Sequence, residues 1–255
     1  MPKDEAMNCD IGPILQEWPY EEDKNVRRIV GGDGKPKLQV RLPLGVEQYE
    51  LDGRPDGLRP GGAESYLDLF EEQLAQARAA GEPSGFVLTA EDCAKLRLES
   101  MLYYFRYLLC FQIGEYEYVK RDTLRNMRLF EFVEAHAERD EDRSALSQYW
   151  PYILRINAMA EAIQAAQNGD IPSALQTIRA ALEKVRELPE VDTDTYSMEK
   201  MRSIGVLEEM IEDIHKKAPP NEADIVRKRM EKAIEAENYE RAAQLRDILH
   251  SMGER

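Results

Sequence analysis

From about Ala63 onward, apolar residues recur every three to four positions, segment after segment. That period puts them on one stripe of a helix, and each stripe must be buried against another element. Most of the chain is thereby committed to packed helices, with little room for a large sheet. Ser65 to Ala80 carries Leu67, Phe70 and Leu74 on one stripe and stops at Gly81. Thr89, three residues before Asp92, has capping-box spacing and opens a second helix. This helix is apolar on nearly every face from Leu96 to Phe111 and is expected at the centre of the body. A partner follows with Val119, Leu124, Met127, Phe130 and Val133. Trp150-Pro151 marks a helix start or a kink, and the helix beyond it is striped by Ile153, Ile156, Met159, Ala160 and Ile163. Asp170 caps another, with Leu175, Ile178, Leu182 and Val185. A further helix from about Tyr196 to His215 carries Met201, Ile204, Leu207, Ile211 and Ile214. Pro219-Pro220 breaks the chain before a final helical pair over Glu222 to Met252.

The first sixty or so residues read differently. Val26 to Val30 leads into Gly31-Gly32-Asp33-Gly34, a strong turn signal. Leu38, Val40 and Leu42 alternate with Gln39 and Arg41, the period of a half-buried strand. A third run, Val46 to Leu51, precedes a double turn from Asp52 to Gly57. Two or three strands are marginal alone, so this antiparallel ribbon is expected to lean on the helices.

Three helix-to-helix turns echo one another: Ile113-Gly114-Glu115-Tyr116, Asn168-Gly169-Asp170-Ile171 and Glu237-Asn238-Tyr239-Glu240. Stacked αα-hairpins are built this way, and tetratricopeptide repeats use a similar turn. The spacing of fifty-five positions from Gly114 to Gly169 is not the ~34 of that repeat. The expected fold is mainly α: a helical bundle or a degenerate αα-hairpin array, with a small N-terminal β-ribbon. The expected boundaries are a ribbon segment over 1–62, a helical body over 63–218 and a helical hairpin over 221–253.

The most specific signal lies in that hairpin. The core Tyr239-Glu240-Arg241-Ala242-Ala243-Gln244-Leu245-Arg246-Asp247, with Val226, Met230, Ala233 and Leu249 around it, resembles the UVR motif. The motif is named from the UvrB and UvrC nucleotide-excision-repair proteins. It occurs also in Clp-type unfoldases and in the activator of the protein-arginine kinase McsB. In those families the hairpin is a protein–protein interaction element, often pairing with a second copy. The resemblance thus implies a partner-binding set of Val226, Met230, Ala233, Tyr239, Ala242, Leu245, Arg246, Asp247 and Leu249. It implies a partner that is another UVR-bearing protein, such as an excision-repair subunit or a Clp-type unfoldase, or a second copy of the chain. Physically, alanines at 242 and 243 allow close helix approach, and two short helices leave an apolar side that a lone hairpin does not cover. No helicase motor, nuclease signature or Cys-based zinc module accompanies the motif, so the catalytic activities of those families do not carry over.

Charge supplies a second constraint. The net charge is −15, which disfavours nucleic acid and anionic membrane as default partners. The exception is residues 24–41, with six Lys and Arg against one acid. Arg27, Arg28, Lys35, Lys37 and Arg41 make this ribbon the one candidate anion or nucleic-acid surface, though the window holds no aromatic residue for base stacking. Attraction to the acidic helices explains the same charges. The loop beyond offers Arg54 and Arg59 as guanidinium forks, which with Arg41, Asp52 and Asp56 form a possible recognition loop or small-ligand site. A pair of tight structural turns is the competing reading. Trp18-Pro19-Tyr20, after Ile14-Leu15, is expected to pack onto the body rather than to dock elsewhere.

Catalytic chemistry finds little support. His136, His215 and His250 fall near helix ends, no two at metal-ligand spacing, and no P-loop or G-x-S-x-G is present. Cys93 and Cys110 lie on one helix, about 25 Å apart, beyond disulfide reach. With Cys9 they make no disulfide framework, the pattern of a reducing compartment. The run Glu131, Glu134, Glu138, Asp140, Glu141 and Asp142 reads as a solvated charge cluster rather than a metal site. No cofactor is called for. The expected protein is a non-enzymatic, cytoplasmic interaction protein. A DNA-repair accessory touching nucleic acid through the ribbon is one alternative, and an enzyme or small-ligand binder between ribbon and helices is the other.

Overall fold

The structure, a computed structural model, describes residues 10–81, 85–217, 222–236 and 238–251. Cys9, Pro219-Pro220 and Glu237 fall outside the described residues, as does the His250 side chain. The chain divides into two compact units, Met1–Met210 and Ile211–Arg255.

The first unit opens with a short helix, α1 (Gly12–Glu17), and a three-stranded antiparallel sheet in the order β1 (Val26–Val30), β2 (Pro36–Leu42), β3 (Gly45–Glu50). Val26 pairs with Val40, and Leu38 pairs with Tyr49. Leu38, Val40 and Tyr49 then meet Tyr107, Cys110, Val119 and Ala160 of the helices in one apolar cluster. The alternation holds for Leu38 and Val40 but not beyond. Leu42 is exposed while Arg41 is buried. Arg41 compensates by donating to backbone: Nε to Trp18 O at 2.7 Å, Nη1 to Gly45 O at 3.3 Å, and a further bond to Leu42 O. Trp18 packs on the ribbon under Arg27, whose guanidinium lies 3.9 Å from the ring centroid.

The helices follow as α2 (Tyr66–Ala79), α3 (Ala90–Gln112), α4 (Tyr116–His136), α5 (Asp140–Ser144), α6 (Trp150–Gln167), α7 (Ile171–Glu187) and α8 (Asp194–Lys217). Ser65 caps α2, and the Thr89–Asp92 capping box opens α3 with both reciprocal bonds made. A second apolar cluster joins Leu67, Phe70 and Leu74 of α2 to Leu96, Leu129, Phe130, Val133 and Ile153. The helix α3 is less uniformly buried than its composition suggests. Glu99 and Arg106 lie inside, whereas Leu98, Met101 and Phe105 are about half exposed. The inside position of two charges has a specific reason, given below.

The second unit holds the end of α8 and the pair α9 (Glu222–Glu235) and α10 (Tyr239–Ser251). The three turns that echo in sequence share one hydrogen bond. Glu115 N–H donates to Cys110 O at 2.9 Å, Asp170 N–H to Ala165 O at 2.9 Å, and Asn238 N–H to Ala233 O at 2.8 Å. Each bond reaches five residues back and closes the C-terminus of the first helix. Gly114 and Gly169 adopt φ of +78° and +81°, the left-handed conformation this closure needs. Four residues after the donor, Val119, Ala174 and Ala242 are each buried. The mainly α reading with a small N-terminal sheet and a C-terminal helix pair holds. No helix among the described residues is long and apolar enough to cross a membrane.

Candidate functional site

The hairpin is built by residues from both helices. Val226, Met230 and Ala233 lie three and four apart on α9 and meet Ala242 and Leu245 of α10 in a small apolar cluster. Ala242 lets the backbones approach, and Leu245 fills the space beside it, buried to 3 % exposure. Asn238 is the N-cap of α10: its Oδ1 accepts from Arg241 N–H at 3.1 Å. Most of the implied partner-binding set is therefore used in holding one helix against the other, and Leu249 is buried too. The outward positions are the set's remaining members, Tyr239, Arg246 and Asp247, together with Ile234. Tyr239 is 67 % exposed and Ile234 48 % exposed. Arg246 and Asp247 pair with each other on the surface at 2.9 Å. The sequence pattern groups Ile234 with Val226, Met230 and Ala233 on one face of α9, and only the crossing of the helices separates inward from outward.

The double turn after β3 is held from beneath. Arg106 forms a two-bond pair with Asp122, Nε to Oδ2 at 2.6 Å and Nη2 to Oδ1 at 2.8 Å, both side chains 1 % exposed. Its remaining donor, Nη1, reaches Glu50 O and Gly53 O, each at 2.8 Å. Arg121 donates to Leu51 O at 2.6 Å and pairs with Asp52 at 3.2 Å. Arg54 turns inward, pairing with Asp56 at 2.9 Å and with Glu99 at 3.1 Å. Fully buried Glu99 also pairs with Arg125 and accepts from the N–H groups of Tyr66 and Leu67 at 2.7 and 3.1 Å. It thus satisfies the otherwise orphaned N-terminal donors of α2. The charges inside α3 are anchors that fix the loop and the start of α2 to the bundle. Their sequence signal was Arg106 interrupting an apolar run.

Asp52, Arg54 and Arg59 share a polar cleft of about 280 Å³ with Lys35, Glu50 and Glu64, whereas Arg41 is not part of it. Arg59 pairs with Glu64 at 3.3 Å. The ribbon's cations other than exposed Lys35 are similarly engaged. Arg28 pairs with Glu115 of the helical layer at 2.8 Å, Arg27 donates to Gln39 at 2.9 Å, and Lys37 bridges Asp33 and Glu50.

The remaining candidates are structural in their surroundings. Burial pushes the Cys93 thiol up to about 11 and the Cys110 thiol up to about 12, so neither carries thiolate at neutral pH. His136 packs against the rings of Phe86 and Phe132, at 5.7 and 4.8 Å, and burial lowers its pKa. The carboxylate run is not uniformly solvated, contrary to the expectation. Asp142 is buried because Arg139 and Arg97 hold it at 2.7 and 3.0 Å, and the Arg139 bond lowers its pKa. Among the described residues no cluster of His, Cys, Asp and Glu could hold a metal ion.

No curated protein and no solved structure matches the chain. Against family models, residues 226–249, the α9–α10 hairpin just described, match the UvrB/uvrC motif.

Proposed function

We propose that the chain is a protein–protein interaction protein whose α9–α10 hairpin engages another UVR-type hairpin, on a second copy or on a different UVR-bearing protein. The observation that carries this reading is the match at residues 226–249 on a hairpin whose inward face is closed while Tyr239 and Ile234 stay open to solvent. Tyrosine at the rim of an apolar patch is a favoured contact residue, since its ring buries area and its hydroxyl stays satisfied. Charge supports the same use. Residues 222–255 carry seven Lys and Arg against eight acids, so two hairpins meet with little net repulsion although the whole chain stands at −15.

The ribbon is less suited to nucleic acid on these grounds. Its guanidinium groups and the Lys37 ammonium face carboxylates and carbonyls of the same chain, which compete with phosphate.

The reading is tested by immobilising the tagged full chain and offering an untagged second copy and, separately, a purified UVR-bearing protein. Capture of at least one that is lost on deleting residues 221–255 is expected. Capture of neither, or capture unchanged by the deletion, overturns it.

A further inference from the structure

Away from the hairpin, a groove of about 590 Å³ opens between α3, α4, the start of α6 and the start of α8, all within the first unit. Its floor is buried Phe130, Leu146 and Ile153, and its mouth is Met101, Phe105 and Tyr149, each about half exposed. Along one wall the ring of Tyr104 meets Phe105, Tyr107 and Tyr152 with centroids 5.3, 5.5 and 5.7 Å apart. The volume is that of a small-molecule site, apolar with few polar groups.

Two clusters of charge flank this apolar surface, and in each two arginines share one carboxylate. Arg97 lines the groove and pairs with Asp142 at 3.0 Å, but Arg139 already holds the same carboxylate at 2.7 Å. Glu199 also lines the groove and is shared between Arg155 and Arg202, at 3.4 and 4.0 Å. Arg155 is 4 % exposed and its guanidinium lies 5.1 Å over the ring of Tyr152, directly behind the wall that Tyr152 and Glu199 form. Its Nη1 has no hydrogen-bond partner and is the one such buried side-chain atom among the described residues. Buried guanidinium groups normally have their donors matched.

We infer that this groove binds a small amphiphilic organic anion, with an apolar chain or ring laid on Met101, Tyr104, Phe105 and Tyr149 and a carboxylate held by the Arg97 guanidinium. Arg97 suits the role because its partner Asp142 keeps Arg139 when Arg97 turns to a ligand. Arg155 and Arg202, both paired with Glu199, offset that residue's repulsion of the anion. A cationic ligand of the same shape finds both nearby carboxylates, Asp142 and Glu199, already held by arginines, so the site discriminates by sign.

The test uses the full chain and three probes of equal chain length below their micelle concentrations: decanoate, decanol and decylamine. Each is titrated by calorimetry and by displacement of the fluorescent anion anilinonaphthalene sulfonate. Decanoate is expected to saturate one site and to bind about tenfold or more tightly than decylamine, the scale of a charge-assisted hydrogen bond. Thr195→Trp, at an exposed edge of the groove, is expected to abolish binding. Met101→Glu at the mouth is expected to weaken decanoate while sparing decylamine. Arg97→Gln is expected to remove the preference of decanoate over decanol. Absence of saturable decanoate binding, affinity equal to decylamine, or binding indifferent to both Thr195→Trp and Met101→Glu overturns the inference.

Discussion

Asp122→Ala probes the anchoring of the ribbon more sharply than any other single change. The carboxylate accepts two bonds from Arg106 and one from Arg121, the latter at 2.9 Å. Arg121 is partly exposed and recovers water, whereas Arg106 is 1 % exposed and does not. Removing Asp122 therefore leaves a buried guanidinium charge without its counter-ion, which destabilises a protein by about 3 to 5 kcal/mol. For a unit of this size that corresponds to a fall in Tm of about 6 to 20 °C. The assay is urea unfolding followed by circular dichroism, with calorimetry for Tm, on wild type, Asp122→Ala, Asp122→Leu, Arg106→Leu and the double variant with both leucines. Because the apolar pair removes both buried charges together, its loss should be smaller than the sum of the single losses by about 1 to 3 kcal/mol. Some loss remains, since Glu50 O and Gly53 O lose their donor. A loss below about 1 kcal/mol for Asp122→Ala, or strictly additive single losses, refutes the anchoring argument.

Other changes test separate links. Gly169→Ala meets no atom within 4 Å and is strained only by its φ of +81°. It should lose about 1 to 2 kcal/mol, whereas Gly205→Ala within α8, equally unobstructed and helical, should gain about 0.5 to 1 kcal/mol; both are read from urea midpoints. Leu245→Ala should destabilise α9 and α10 by about 2 to 5 kcal/mol, measured as faster amide exchange across 222–251. His136 has a pKa held below 6.5 by burial. The unfolded chain therefore takes up its proton first, and stability should fall as pH drops through 6.5 toward the lower folded value. The slope of Tm against pH should flatten in that window for His136→Gln; an unchanged slope refutes the role of burial there.

What was readable in the chain was local. The Thr89–Asp92 capping box, the glycine turns at 114 and 169 and the strands around Leu38 and Val40 all depend on residues within one turn or one hairpin, and all formed. The pairs Arg106–Asp122 and Arg54–Glu99 were not readable. The second joins a loop to a helix forty-five residues on, the first crosses between two neighbouring helices, and a charge inside an apolar run does not name its partner. The exposure of Met101 and Phe105 was hidden for a related reason. A helix apolar all round looks buried all round until its neighbours show where they stop, and here they stop at the groove. In the hairpin, the UVR-like pattern located the element, but separating its core from its open face required the α9–α10 crossing.

The central claim is that the open face of that hairpin, with Tyr239 at its edge, is an interaction surface. Sedimentation equilibrium of the full chain, alone and mixed with a purified UVR-bearing protein, tests it directly when wild type and Tyr239→Asp are compared. The substitution lies at a 67 % exposed position outside the hairpin core, so the fold is retained. The account predicts concentration-dependent association of wild type, with itself or with the second protein, that Tyr239→Asp weakens by about tenfold or more, the scale of an interface hot spot. Wild type that stays monomeric in both settings, or association that Tyr239→Asp leaves unchanged, contradicts it.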